Sequence, residues 1–154
     1  MANIVIRAAT LDDLDVLAAN NCAMARETEG RDLVATVVRA GTRAMLEDPS
    51  KGFYVVAERD DAVVGQLMIT FEWSDWRNKT FLLIQSVYVT PSARRCGVFR
   101  ALFKHVISTA GQWGDVSGVR LYMAQHNEAA RRAYESLGLR RTGYDVYELD
   151  FVFG

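Results

Sequence analysis

The sequence predicts an α/β (α+β) domain with a mixed central β-sheet and helices on both faces, in the order β-α-α-β-β-β-α-β-α-β. Three observations carry that prediction. Apolar residues alternate with period two in some stretches and recur every three or four in others, so strands and helices are interleaved. Two alternating runs, 53–58 and 62–73, meet at Asp60-Asp61, a hairpin turn that makes part of the sheet antiparallel. The apolar run 81–89 then passes through Pro91 into a helical pattern, a strand–turn–helix junction of the kind that crosses over a sheet.

Taken in order, residues 3–7 (NIVIR) alternate as a short strand. Thr10 is an N-cap with Asp13 in the capping-box position, and Leu11, Leu14, Leu17, Ala18 and Cys22 form the apolar stripe of a helix ending near Thr28. Cys22 lies on that stripe and reads as a packed residue rather than a nucleophile. After a charged turn, a second helix over 33–46 carries Leu33, Val37, Ala40 and Ala44 on one face and stops at Asp48-Pro49. The hairpin and the strand 81–89 follow. From Gly97 the positions Val98, Leu102 and Val106 mark a long helix. A glycine-punctuated linker over 111–118, a strand over 119–124, a helix over 127–137 stopped by Gly138, and an alternating terminal strand over 141–153 complete the chain.

The 154 residues fit one domain, 1–154, with length enough for a real core. Lysine and arginine number 18 against 19 acidic residues, a net charge of −1, which argues against a nucleic-acid binder held by phosphate contacts. Two cysteines at unrelated positions make neither a disulfide framework nor a metal site. No signal peptide or membrane-length apolar run is seen, so a cytoplasmic protein without membrane or metal is expected. Oligomeric state stays open between monomer and homodimer.

Two stretches carry chemistry. In IQSVYVTPSARRCGVFRAL (84–102), Gly97 allows close approach of a ligand to the backbone. The amides of Arg95, Cys96, Gly97, Val98, Phe99 and Arg100 lie at a helix N-terminus, and Arg94 and Arg95 add positive charge. That is an anion site, suited to a phosphate or pyrophosphate. It is neither a dinucleotide fingerprint nor a P-loop, because G-x-G-x-x-G and G-K-[ST] are both absent. In the second stretch, Asn127, Ala130, Tyr134 and Leu137 share one helical face. Such a mixed face makes a poor pure core stripe, although Tyr134 could also be an ordinary amphipathic core residue.

Together these stretches resemble the GNAT N-acetyltransferase superfamily. Arg94-x-x-Gly97 after V-x-V-x-P is similar to its [QR]-x-x-G-x-[GA] segment, with Phe99 departing from the small residue at the last place. The 127–138 stretch is similar to its N-x-x-A-x-x-x-Y-x-x-x-G segment. The resemblance runs nearly the full length and implies a GNAT-like fold and acetyl-CoA as co-substrate. It further implies an amine acceptor, and backbone pairing of the pantetheine arm at Val87 and Val89. By the same resemblance Asn127 contacts that arm, Ala130 leaves room for it, and Tyr134 protonates the departing thiolate.

The base is harder to read. Many members of the superfamily carry a glutamate where this chain has Gln85. Glu72, on the polar face of the preceding strand with Gln66, Met68 and Thr70, is the first candidate, and a solvated strand-end residue is the alternative. Glu27 and Glu29, in a turn that often borders the acceptor pocket in this superfamily, and His126 are rivals. Trp73 and Trp76, with Phe81 and Tyr88, either line an acceptor pocket or belong to the core. Carboxylates beside aromatics would suit a cationic amine. Gln85 and Phe99 keep a second reading alive, a catalytically silent CoA-binding regulatory or sensing module.

Overall fold

The computed structural model describes residues 3–154; residues 1 and 2 of the expected domain lie outside the described residues. The described chain falls into two units, residues 3–122 and 123–154.

The first unit contains β1 (Val5–Ala8), α1 (Leu14–Glu29), α2 (Ala35–Glu47), β2 (Phe53–Arg59), β3 (Ala62–Ser74), β4 (Lys79–Val89), α3 (Val98–Trp113) and β5 (Val116–Leu121). Its five strands form one sheet in sequence order. The pairs β1–β2, β2–β3 and β3–β4 are antiparallel and β4–β5 is parallel, so the sheet is mixed, with α3 as the crossover. The hairpin turns at Asp60 and Asp61, whose φ angles of 52° and 59° are left-handed, as a tight primed turn requires.

Adjacent residues of β3 show which helix covers which face. A Cβ on Gly65 would meet Val98 and Leu102 of α3, whereas the neighbouring Gln66 bonds to Asn20 and Asn21 of α1. Strand alternation therefore sets α3 against one face and α1 with α2 against the other. On the α3 side Val98, Leu102 and Val106 are buried, as their spacing predicts. On the other side Leu17, Tyr54 and Val56 are buried at the centre of an apolar cluster that Met45, Leu46 and Met68 extend. Arg7 ties the start together. Its fork donates to both Asp13 carboxylate oxygens (2.8 and 2.9 Å) and its Nε to Glu58 (2.9 Å). Asp13 also accepts from the Thr10 amide, 2.8 Å, in the expected capping box. The Arg7 guanidinium holds the Asp13 carboxyl below the usual carboxylate range.

Two local expectations in this unit are corrected. The inward face of α2 is Val38, Thr42 and Met45, while Val37, Ala40 and Ala44 are exposed. Thr42 tolerates burial because its hydroxyl donates to the Val38 carbonyl one turn back, 2.8 Å away. The expected 111–118 linker is instead the end of α3, a turn at Gly114 (φ 75°) and the start of β5, since Gly111 sits within a continuing helix.

In the second unit α4 spans Glu128–Ser136. The terminal strand expected over 141–153 does not form; residues 139–153 are neither helix nor strand. Local side chains compete for the backbone there. Asp150 accepts from the Val152 and Phe153 amides (2.7 and 2.9 Å), and Thr142 accepts from Tyr144 (3.2 Å). Alternation fixes which side chains share a face, not whether a neighbouring strand exists to pair with.

Candidate active site

The strand–turn–helix junction between β4 and α3 is built as an amide cradle. Pro91 ends β4, a single 3-10 turn (Pro91–Ala93) follows, and Ala93, fully buried, anchors it. Arg95 and Gly97 then adopt left-handed φ angles of 63° and 79°, reversing the chain into α3. The Ala101 amide makes the first helical bond, to the Gly97 carbonyl (3.0 Å), so the amides of the preceding residues lie at the open N-terminal end of the helix. A Cβ on Gly97 would meet nothing within 4 Å, which leaves the cradle open to approach. Arg95, Cys96 and Arg100 are exposed around it, while Val98 is buried beneath and Phe99 turns toward Phe103 (ring centroids 6.1 Å apart).

Arg94 belongs to this junction but is already engaged. Its Nε donates to the Val89 carbonyl (2.9 Å) and its Nη2 to Glu27 (2.6 Å), with the guanidinium over the Tyr88 ring. The Tyr88 hydroxyl donates to the other Glu27 oxygen, 3.0 Å. Arg94, then Tyr88, hold the Glu27 carboxyl below the usual range. Glu27 is thus a brace between α1 and the junction, a poor candidate for taking protons near neutrality. Glu29 lies on the surface 4.0 Å from Arg31.

Upstream of the junction β4 is irregular. Gln66 pairs with Tyr88 and Met68 with Gln85, so three steps on β4 oppose two on β3. The extra residue produces a bulge at Ser86, whose φ of 50° is left-handed in a residue with a side chain. Pairing of β4 with β5 stops at Ile84–Leu121. Among the described residues, 85–89 therefore have β3 on one side and no strand on the other. Val87 and Val89 lie in that stretch, and the Val89 carbonyl is already taken by Arg94 Nε.

Beside the bulge a cavity of about 380 Å³ opens between α1, α2 and the sheet. Met24, Leu33, Val38, Met45 and Met68 supply apolar walls; Asn21, Thr42, Tyr54 and Ser86 supply polar atoms. A buried amide relay stands behind it. Asn20 donates to Gln66 Oε1 (3.0 Å), and Gln66 Nε2 donates to Asn21 Oδ1 (3.0 Å) and toward the Ser86 carbonyl (3.4 Å). Gln66 is fully buried, and this relay links α1 to the bulge.

The remaining expected residues fall elsewhere. Glu72 is ion-paired with Arg120, which also stacks on Phe81, and pairs in register with Phe81 five residues along β3 from Leu67 opposite the bulge. At about 3.3 Å per residue that is roughly 16 Å away. Trp73 and Trp76 are 62% and 85% exposed and do not line the cavity. Gln85 sits at the bulge and donates to Thr70 (2.6 Å). In the second unit Asn127 caps α4, its Oδ1 accepting from the Ala130 amide (3.1 Å). Asn127, Ala130, Tyr134 and Leu137 are all partly buried, as one shared face requires. Burial raises the Tyr134 hydroxyl above its ordinary pKa. Reading the sequence missed Asn21, Thr42, Tyr54 and Ser86. A signal for Asn21 was present: Asn20-Asn21 interrupts an otherwise apolar helical stripe.

The sequence matches the acetyltransferase (GNAT) family over residues 18–139. Its structure is similar to that of a possible acetyltransferase from Clostridium difficile 630, at 44% identity and TM-score 0.89, covering 97% of this chain and 98% of that one. It is similar also to a probable acetyltransferase at 26% identity (TM-score 0.83, 99% of each chain). A predicted acetyltransferase solved with acetyl-CoA, from Clostridium acetobutylicum, shares the fold at 16% identity (TM-score 0.78, 97% of each chain). No protein among the curated sequences matches the chain.

Proposed function

Because the chain belongs to the acetyltransferase (GNAT) family, we propose that it moves the acetyl group of acetyl-CoA directly to a primary amine of a small molecule or peptide. One observation carries this reading: the bulged, one-sided stretch of β4 leads, through one short 3-10 turn, into the amide cradle at Gly97. A ligand long enough to lie along 85–89 and end in a pyrophosphate would find backbone partners at Val87 and at the Val89 amide, the Val89 carbonyl being held by Arg94. Its anionic end would meet the amides of Cys96 to Arg100. Arg95 and Arg100 add free charge there, whereas Arg94 braces the loop through Glu27.

In this reading the amine nitrogen attacks the thioester carbonyl carbon, the C–S bond breaks, and the amine's surplus proton leaves. The carbonyl oxygen, gaining negative charge, is stabilised by a backbone amide at the bulge, near Val87. Tyr134, a phenol protonated at neutral pH, gives its proton to the departing thiolate and regains one from water. Among the described residues no carboxylate lines the cavity, so the amine's proton passes to water, and we assign Glu72 no part in it. Asn127 and Ala130 are proposed as contacts of the pantetheine arm, with Nδ2 as the polar group Asn127 has left after capping.

The absence of carboxylates from the cavity walls also supports a second reading, a CoA-binding module without turnover. Release of free CoA thiol from acetyl-CoA in the presence of an amine panel separates the two. Amine-dependent release supports transfer; CoA binding with no release for any amine supports the silent module.

A further inference from the structure

Among the described residues, the cavity beside the Ser86 bulge has no charged wall, and this limits what can occupy it. Its polar atoms are mostly committed. Asn21 Oδ1 accepts from Gln66, Asn21 Nδ2 donates to the Tyr54 hydroxyl (3.0 Å) and toward Thr42 (3.5 Å), and the Thr42 hydroxyl donates to Val38. The Tyr54 hydroxyl accepts from Asn21 and retains its own proton to donate, on a side chain 3% exposed. Facing it, Met24, Met45 and Met68 give flexible, polarizable surface that adapts to apolar shapes.

A charged group on the occupant's body would find no counter-charge on these walls, whereas alkyl groups gain by leaving water against the methionine and valine side chains. A neutral oxygen would take the Tyr54 proton. A cavity near 150 Å³ holds one benzene, so about 380 Å³ has room for roughly 15 heavy atoms. We propose, resting on the acetyl-transfer reading above, that the acceptor is a primary amine whose remaining body is uncharged and largely apolar. It carries one neutral oxygen for Tyr54, as the amide of an apolar amino acid does. This replaces the cationic acceptor that the sequence points to, because the carboxylates behind that expectation lie outside the cavity: Glu27 on Arg94, Glu72 on Arg120.

Two measurements test it separately from the reaction. Calorimetry of the intact chain with N-acetyl-leucinamide, N-acetyl-leucine and N-acetyl-1,4-diaminobutane should show the neutral compound binding at least ~10-fold tighter than either charged one. Equal affinities, preference for a charged compound, or no binding by any of them would overturn the proposal. Thiol release from acetyl-CoA should follow the order leucinamide, then 3-methylbutylamine, then leucine and 1,4-diaminobutane. The advantage of leucinamide over 3-methylbutylamine, which lacks the carboxamide, should be roughly 3- to 10-fold and should vanish in Tyr54→Phe. Because that variant also strips Asn21 of an acceptor, the wild-type comparison of the two amines decides the point if the variant fails to fold. If the binding order holds and no amine releases thiol, the acetyl-transfer reading fails and the cavity assignment stands. If 1,4-diaminobutane is the fastest acceptor, transfer stands and the assignment fails.

Discussion

Replacing Gly65 by alanine puts one methyl group where β3 meets the first turn of α3. The added Cβ would lie 2.6 Å from Val98 Cγ1, with Leu102 Cδ1 at 3.5 Å and Ala57 Cβ at 3.6 Å. Ordinary contact begins near 3.4 Å, so Val98 must retreat by about 0.8 Å, from 2.6 to 3.4 Å. Its branched side chain has essentially one rotamer in a helix, and it is 2% exposed, so it cannot turn away. The N-terminal turn of α3 must move instead, and with it the amide cradle. Overpacking of this kind costs about 1–3 kcal/mol. At about 2–4 °C per kcal/mol for this chain length, thermal unfolding should occur about 2–12 °C earlier. Calorimetric affinity for CoA should fall in parallel, since the displaced amides are those assigned to the pyrophosphate. Val98→Ala removes the clashing methyl, so the double variant should lose less than the two single losses combined. Wild-type melting and affinity in Gly65→Ala, or strict additivity in the double variant, would refute the packing argument.

Tyr134→Phe should leave CoA affinity unchanged and lower kcat by ~10²–10⁴ where chemistry limits the rate, as loss of a general acid does; an unchanged kcat removes the acid role. Glu72→Gln should keep kcat/KM within about twofold from mildly acidic to mildly alkaline pH, because Glu72 is held by Arg120 away from the bulge; a selective loss of activity at acidic pH would restore it as the base. Asp13→Asn should lower stability at neutral pH. The folded Asp13 carboxyl is depressed by Arg7, so its stabilising contribution is present above the unfolded value of about 3.9 and is lost as pH falls below it. Denaturant melts of variant and wild type should therefore converge in strong acid, and a constant gap across pH would contradict the linkage.

The framework of the first unit was legible because its signals are local. Val98, Leu102 and Val106 repeat at helical spacing, Asp60-Asp61 forces a turn, and Gly97 marks the entry to α3. The bulge at Ser86 was not legible, since nothing in a run of β-forming residues says that one of them is unpaired; the register of β3 against β4 creates it. The burial of Thr42 was hidden for a similar reason, as its hydroxyl is satisfied within its own helix. Glu27 and Glu72 illustrate the limit for charges. A carboxylate in sequence carries no label for its partner, and Arg94 and Arg120 reach them from 67 and 48 residues away. The alternating 141–153 stretch looked like a strand, yet its own Thr142 and Asp150 side chains capture the backbone amides.

The central claim is that the Gly97 cradle holds the anionic end of CoA, and titrating CoA into the wild type and into Gly97→Glu tests it most directly. A Cβ at this position meets no neighbour, so the variant bears about 1–2 kcal/mol of backbone strain and should remain folded. Its carboxylate would face the same amides as the pyrophosphate. Saturable one-site binding to the wild type, with affinity lowered by at least ~100-fold in the folded variant, is the predicted result. Equal affinity in the two proteins, or no CoA binding by the wild type, would contradict the account.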